Sequence, residues 1–170
     1  MFTLVIGGAA SGKSAFAENL VLRLPGARLY IATMQPFDAE SLRRIEKHRA
    51  QRAGKGFVTL ERAVDLSGAE IPAGSNVLLE DLSNLLANEM YSGSGGGADA
   101  VLRGVEAVLG ACGNLTVVTN EVFSGGADYA GDTQRFLCEL AALNRSLAAR
   151  ADVVAEIVCG IPNVLKGALP

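Results

Sequence analysis

The chain has a single histidine, and its three cysteines, Cys112, Cys138 and Cys159, stand far apart with no Cys-x-x-Cys pair. A metal centre built from those side chains is therefore excluded, and an odd set of widely spaced thiols gives no disulfide framework. The cysteines read as free, mostly buried thiols of a reducing compartment. Positive charge is not in excess either: 15 Lys and Arg stand against 18 Asp and Glu, a formal net charge of -3, and the basic residues are scattered. A nucleic-acid partner needs a massed basic face to neutralise phosphates, so that class is set aside. No apolar run reaches the ~18 residues that a membrane helix needs. Met1 to Ile6 is too short and uncharged for a secretory signal. A soluble, cytoplasmic protein without membrane contact is expected. No internal repeat is present.

What the chain does have is apolar surface to bury. Its 170 residues are 49% hydrophobic and 19% charged, enough for one domain over residues 1–170 with a sizeable core. Short runs rich in Val, Ile, Leu and Thr alternate with longer amphipathic stretches, which predicts an α/β fold around a mostly parallel sheet flanked by helices. Strands are expected at Thr3 to Ile6, Arg28 to Ala32, Asn76 to Glu80, Leu115 to Thr119 and Val153 to Val158, each a near-continuous apolar run of the kind buried on both faces. Phe57 to Leu60 is a shorter candidate. Helices fit Lys13 to Leu24, Ala39 to Arg52, Leu82 to Glu89, Asp99 to Gly110 and Thr133 to Arg150, where apolar residues recur three and four apart. The run SGSGGG from Ser92 to Gly97 reads as a flexible connector within the domain. A second glycine-rich stretch, Ser124 to Asp132, follows the fourth full strand, at the sheet edge where ligands of open parallel sheets sit.

GGAASGKS, from Gly7 to Ser14, satisfies G-x-x-x-x-G-K-[ST] between an apolar strand and a helical pattern. Gly7 and Gly12 permit backbone angles that turn successive N–H groups toward an anion, and the helix that follows adds the positive end of its dipole. Lys13 suits β- and γ-phosphate oxygens, and the Ser14 hydroxyl suits Mg²⁺. The alternative is a chance glycine-rich turn. Such a cradle needs a metal-holding acid at the end of another strand, and NVLLEDLSN offers both Glu80 and Asp81. One of the pair is also placed to cap the next helix, a role that suits Asp81. His48 lies in the charged stretch DAESLRRIEKHRAQR, where a lone histidine reads by itself as a solvated surface residue.

The order of these motifs carries further information. GGAASGKS, YIATMQ at Tyr30 to Gln35, D-x-E-x-x-x-R-I-x-x-H from Asp38 to His48, LLE ending at Glu80, VVTNEV at Val117 to Val122 and the closing LNRSLAARADVVAEIVCGIP resemble, over nearly the whole chain, the bifunctional adenosylcobinamide kinase and adenosylcobinamide-phosphate guanylyltransferase family of cobalamin biosynthesis. The resemblance implies a P-loop NTPase (RecA-like) fold. It also implies that the P-loop presents the γ-phosphate of GTP or ATP to a hydroxyl of the corrinoid, and that His48 takes GMP from GTP for transfer to the phosphorylated product. Neutral imidazole is available for that attack near pH 7, its ordinary pKa being about 6.5. By the same resemblance Gly7, Gly8, Ala9, Ala10, Ser11, Gly12, Lys13 and Ser14, then Ala32, Thr33 and Met34, Arg49, Ala50, Gln51 and Arg52, Glu61 and Glu80 contact the nucleotide. Ser14 and Glu80 hold Mg²⁺, Lys13 and His48 are catalytic, and the protein assembles as a homo-oligomer, a trimer, with Leu82 to Glu89 and Asp99 to Gly110 as candidate contacts.

Arg49 and Arg52 suit a triphosphate, with plain solvation as the alternative. Glu61 suits the donor edge of guanine. Asn120 and Glu121 end a strand on the ligand side or cap a turn. Two departures stand out. Ala10 replaces a frequent arginine, and Asp128, Ala130 and Gly131 stand where a proline, an asparagine and an arginine usually fall, so the loop has lost positive charge. Two further readings stay open: a P-loop kinase of another small molecule, and a nucleotide-binding regulator without turnover.

Overall fold

A computed structural model of residues 1–170 describes every residue except Ala127, and leaves out the side chains of Arg44 and Lys47. The strands are β1 (Phe2–Gly7), β2 (Arg28–Ala32), β3 (Phe57–Glu61), β4 (Asn76–Glu80), β5 (Asn114–Asn120), β6 (Val153–Val158) and β7 (Ile161–Lys166). The helices are α1 (Lys13–Arg23), α2 (Ala39–Arg52), α3 (Leu82–Tyr91), α4 (Gly97–Ala111) and α5 (Gly131–Arg150), with a short 3-10 turn at Leu66–Gly68. One sheet runs in the order β3-β2-β4-β5-β1-β6-β7. Its first six strands are parallel, and β7 pairs antiparallel with β6.

Period-two alternation explains why the inner strands are apolar throughout. Leu4, Ile31, Leu79 and Val117 face α3, α4 and α5 in one core, while their neighbours Val5, Tyr30, Leu78 and Val118 face α1 in the other. The carboxyl ends of β1, β2, β4 and β5 then lie along one edge, the place for a ligand in an open α/β sheet. Among the described residues no helix is long and apolar enough to cross a membrane.

The departures from the sequence reading have local causes. β7 was not foreseen, because Pro162 inside IPNVLK demotes a strand; the proline is tolerated on an edge, opposite Ile157. The shorter candidate at Phe57 to Leu60 is a strand, β3, one residue longer, and at the other edge of the sheet it leaves Val58 68% exposed. The thiols are not mostly buried. Cys138 lies on the outer face of α5 and Cys159 in the β6–β7 turn, both exposed, and Cys112 is half-buried. The Ser92 to Gly97 connector is shorter than expected, since α4 already begins at Gly97. It is also anchored: the Glu89 carboxylate accepts from the Gly96 N–H at 2.7 Å and from the Asp65 N–H at 2.6 Å. Leu82, Ser83, Leu85, Leu86, Asn88 and Glu89 of α3 are buried within the chain itself.

Candidate functional site

Gly7 ends β1 where a Cβ would lie 2.5 Å from Ser11 Oγ and 2.9 Å from the Ile157 carbonyl oxygen. Only glycine fits without moving backbone. Gly12 adopts φ +91 as it starts α1, a left-handed conformation that explains the second glycine. The β6–β7 turn braces this loop from outside, with the Gly160 N–H donating to the Ser11 carbonyl at 2.8 Å. The strand missing from the sequence reading thus supports the phosphate loop. Ala9, Ala10, Ser11, Gly12, Lys13 and Ser14 line a cleft of about 600 Å³. Lys13 is buried and donates to the Gly8 carbonyl at 3.1 Å, folded back over its own loop.

Glu80 and Asp81 face this loop from the end of β4. The Ser14 hydroxyl donates to Glu80 Oε1 at 2.5 Å, while Glu80 Oε2 is buried without a hydrogen-bond partner among the described residues. Burial raises the Glu80 carboxyl to a pKa of about 8, with the adjacent Asp81 adding to the effect and the Ser14 hydroxyl and Lys13 opposing it. Asp81 is also raised, by burial. Its side chain caps α3, accepting from the Asn84 N–H at 2.7 Å. Thr33 fastens this corner: its N–H and hydroxyl donate to the Glu80 carbonyl at 3.1 and 3.0 Å, and its hydroxyl oxygen accepts from the Asp81 N–H at 2.8 Å. Asn88 in turn donates to the Thr33 carbonyl at 2.8 Å. A buried carboxylate oxygen without a partner, beside a hydroxyl on a phosphate loop, is a donor set that fits a hard divalent cation. Among the described residues no group of three His, Cys, Asp or Glu could hold a metal alone. A cation here would complete its shell with nucleotide oxygens and water.

A second cavity, about 240 Å³, opens beneath α2 and is lined by Tyr30, Ala32, Met34, His48, Arg49, Arg52 and Glu61 among others. Met34, His48, Glu80, Asp81 and Asn84 line both cavities, so the imidazole stands where the two meet. α2 is held in place at both ends. Asp38 and Ser41 form a reciprocal capping box at its start. Past its end, Lys55 pairs with the buried Glu18 of α1 at 2.5 Å. Arg52 is buried and lies 3.6 Å over the Tyr30 ring, with Nε and Nη1 lacking hydrogen-bond partners among the described residues. Arg49 pairs with Glu61 across the mouth, both well exposed.

The remaining expected contacts separate. Gln51 lines the phosphate cleft, but Ala50 is exposed and lines neither cavity. Thr33 is fully buried and acts within the protein as the clasp just described. Asn120 lines the phosphate cleft and donates to Ser83 Oγ at 2.9 Å. Glu121 closes a turn, accepting from the Phe123 N–H at 2.9 Å and from the Ser124 hydroxyl at 2.6 Å. Sequence reasoning passed over Tyr30, Leu42, Ile45 and Asn84 as lining residues. The signal for two of them was present: Leu42, Ile45, His48, Arg49 and Arg52 are spaced three and four apart, one face of one helix.

The sequence model of the cobinamide kinase / cobinamide phosphate guanyltransferase family matches residues 3–165. The chain belongs to this family. Among similar proteins, the bifunctional adenosylcobalamin biosynthesis protein CobP of Pseudomonas aeruginosa is 34% identical over 171 residues, covering 98% of each chain. The bifunctional adenosylcobalamin biosynthesis proteins CobU of Escherichia coli and Salmonella typhimurium are 34% and 33% identical over 184 residues, covering 98% of this chain and all of theirs. Members of the family are bifunctional nucleotide-using enzymes, and the mostly parallel sheet with its flanking helices is the P-loop NTPase-like fold expected of them.

Proposed function

We propose that this chain carries out both reactions at the junction of its two cavities, phosphorylating adenosylcobinamide and then transferring GMP from GTP to the product. The observation that carries the reading is the position of His48, which borders the phosphate cleft and the α2 cavity together. In the first reaction the corrinoid hydroxyl oxygen bonds to the γ-phosphorus and its proton passes to solvent, while the bond from that phosphorus to the β–γ bridging oxygen breaks and the nucleoside diphosphate leaves. ATP or GTP serves here. Lys13 leaves the Gly8 carbonyl to neutralise the transferred group, and the loop N–H groups hold the phosphates, so catalysis is mainly positioning and charge.

In the second reaction an imidazole nitrogen of His48 attacks the α-phosphorus of GTP, and pyrophosphate departs. A phosphate oxygen of adenosylcobinamide phosphate then bonds to that phosphorus as the N–P bond breaks, giving adenosylcobinamide-GDP and restoring the imidazole. The covalent stage divides one difficult displacement into two in-line ones. Arg49 and Arg52, on the His48 face of α2, supply cationic donors, and Glu61 accepts from the guanine edge. Ser14 and Glu80 would hold Mg²⁺, which when bound neutralises phosphate oxygens. The working protein is a cytoplasmic homo-oligomer, a trimer by family resemblance.

Mass spectrometry after exposure to GTP and Mg²⁺ tests the central step. The protein is expected to gain one GMP, as an acid-labile, base-stable adduct on His48. His48→Asn should abolish the adduct and the guanylylation while sparing phosphorylation of adenosylcobinamide. Equal loss of both activities would overturn the role given to the imidazole.

A further inference from the structure

We propose that the open groove between the loop after β5 and the first turns of α5 seats the edge of the corrinoid ring, leaving its hydroxyl arm to enter the phosphate cleft. This rests on the functional reading above. The groove, about 240 Å³, is walled by Phe123, Tyr129, Leu137 and Cys138, with Gly125 and Gly126 as its floor. Val122 lines both this groove and the phosphate cleft, so the two spaces adjoin. Val122, Phe123 and Tyr129 are 41%, 42% and 48% exposed, an apolar cluster left open beside the site of chemistry. Scattered surface hydrophobics need no explanation, but a clustered set bordering a catalytic cleft marks a ligand surface.

The chemistry of the groove selects its occupant. Among the described residues no charged side chain lines it. Its polar side-chain contribution is Gln134, a neutral amide, and the exposed residues Asp128, Asp132 and Arg135 nearby in the chain leave an excess of acid. A cobalt(III) alkyl corrinoid is a broad apolar ring with a net positive charge and a rim of neutral carboxamides. Aromatic faces suit the ring, Gln134 suits the rim, and acids suit the charge.

Equilibrium dialysis of cobinamide, read by its visible absorbance, tests this with wild type, the double variant Phe123→Ser/Tyr129→Ser, and Cys138→Trp, which adds bulk at an exposed helix position on the groove wall. Removing or blocking the apolar contacts is expected to raise Kd and KM for cobinamide about tenfold or more. GTP-dependent guanylylation of His48 needs no corrinoid and should proceed as in wild type. As a measurement free of any folding defect, cobinamide should slow maleimide labelling of Cys138 in a Cys159→Ser background. Unchanged Kd and KM in both variants, or labelling unaffected by saturating cobinamide, would overturn the groove assignment while leaving the bifunctional reading intact. Wild type that neither binds nor phosphorylates cobinamide would sink both.

Discussion

The two cavities that meet at His48 are made in different ways. The phosphate cleft takes nearly half of its lining from one unbroken stretch, Ala9 to Ala15, and the shape of that half is a property of backbone: a Gly7 that admits no Cβ, a Gly12 at positive φ, and N–H groups at the start of α1. The cavity under α2 draws on side chains from β2, α2, β3 and α3, far apart in sequence, and takes its form from packing and ion pairs. A backbone-built site is tolerant of its neighbours and intolerant of change within itself. A side-chain-built site depends on whatever holds its walls.

The sharpest test of that contrast is Lys13→Ala. Both reactions need the triphosphate seated in the same cleft, so both should fall by about three orders of magnitude or more, a loss typical of removing a preorganised cationic contact together with positioning. Steady-state assays of the two steps check it. Guanylylation retained at full rate would show that the cavities hold separate nucleotides.

A change outside the lining of both cavities should damage the second more than the first. Lys55→Met leaves the Glu18 carboxylate buried and unpaired, and Glu18 is only 3% exposed in its side chain. Breaking a buried pair from one side costs roughly 3 kcal/mol, reduced toward 2 because Lys55 itself is one-third exposed. Denaturant titration measures that loss. Because the pair ties α1 to the chain just past α2, guanylylation should decline more than phosphorylation.

This contrast also explains what could be read from the chain. The parallel core was legible because each inner strand buries both faces, and GGAASGKS was legible because its function resides in consecutive residues. His48 was ambiguous alone: its meaning depends on Met34, Glu80 and Asn84, which reach it only through the fold. β7 was hidden by Pro162, and with it the brace that Gly160 gives the phosphate loop. The clasp of Thr33 on the Glu80–Asp81 corner was equally out of reach, since a threonine after a strand carries no local sign of a long-range partner.

Glu80 lies on the border of both cavities and should respond to pH in a way neither cavity does alone. A carboxyl that holds its proton more tightly in the folded chain than in the unfolded one adds stability below its ordinary range. That contribution is lost as pH rises through about 8. Without nucleotide or Mg²⁺, thermal stability should therefore decline from mildly acid pH to about pH 8 and level off above it, and Glu80→Gln should flatten the profile. Adding Mg²⁺ with GTP should raise wild-type stability at pH 8 more than that of the variant. Parallel profiles for the two proteins would remove Glu80 from the metal's ligands.

The smallest effect on stability, and the cleanest separation of the cavities, is expected from Arg49→Ala. Arg49 and Glu61 pair across the mouth of the α2 cavity with side chains 58% and 66% exposed, so solvent and salt screen the attraction. Such a pair contributes roughly 0.2–1 kcal/mol, and unfolding should barely register its loss. If the pair exists to close the cavity over guanine and phosphate, KM for GTP in guanylylation should nevertheless rise several-fold, while phosphorylation supported by ATP stays near the wild-type rate. Glu61→Gln should weaken GTP similarly, because it removes an acceptor from the guanine edge and a partner from Arg49 together. A double variant no worse than either single change would place the two residues in one device, whereas additive losses would make them independent contacts.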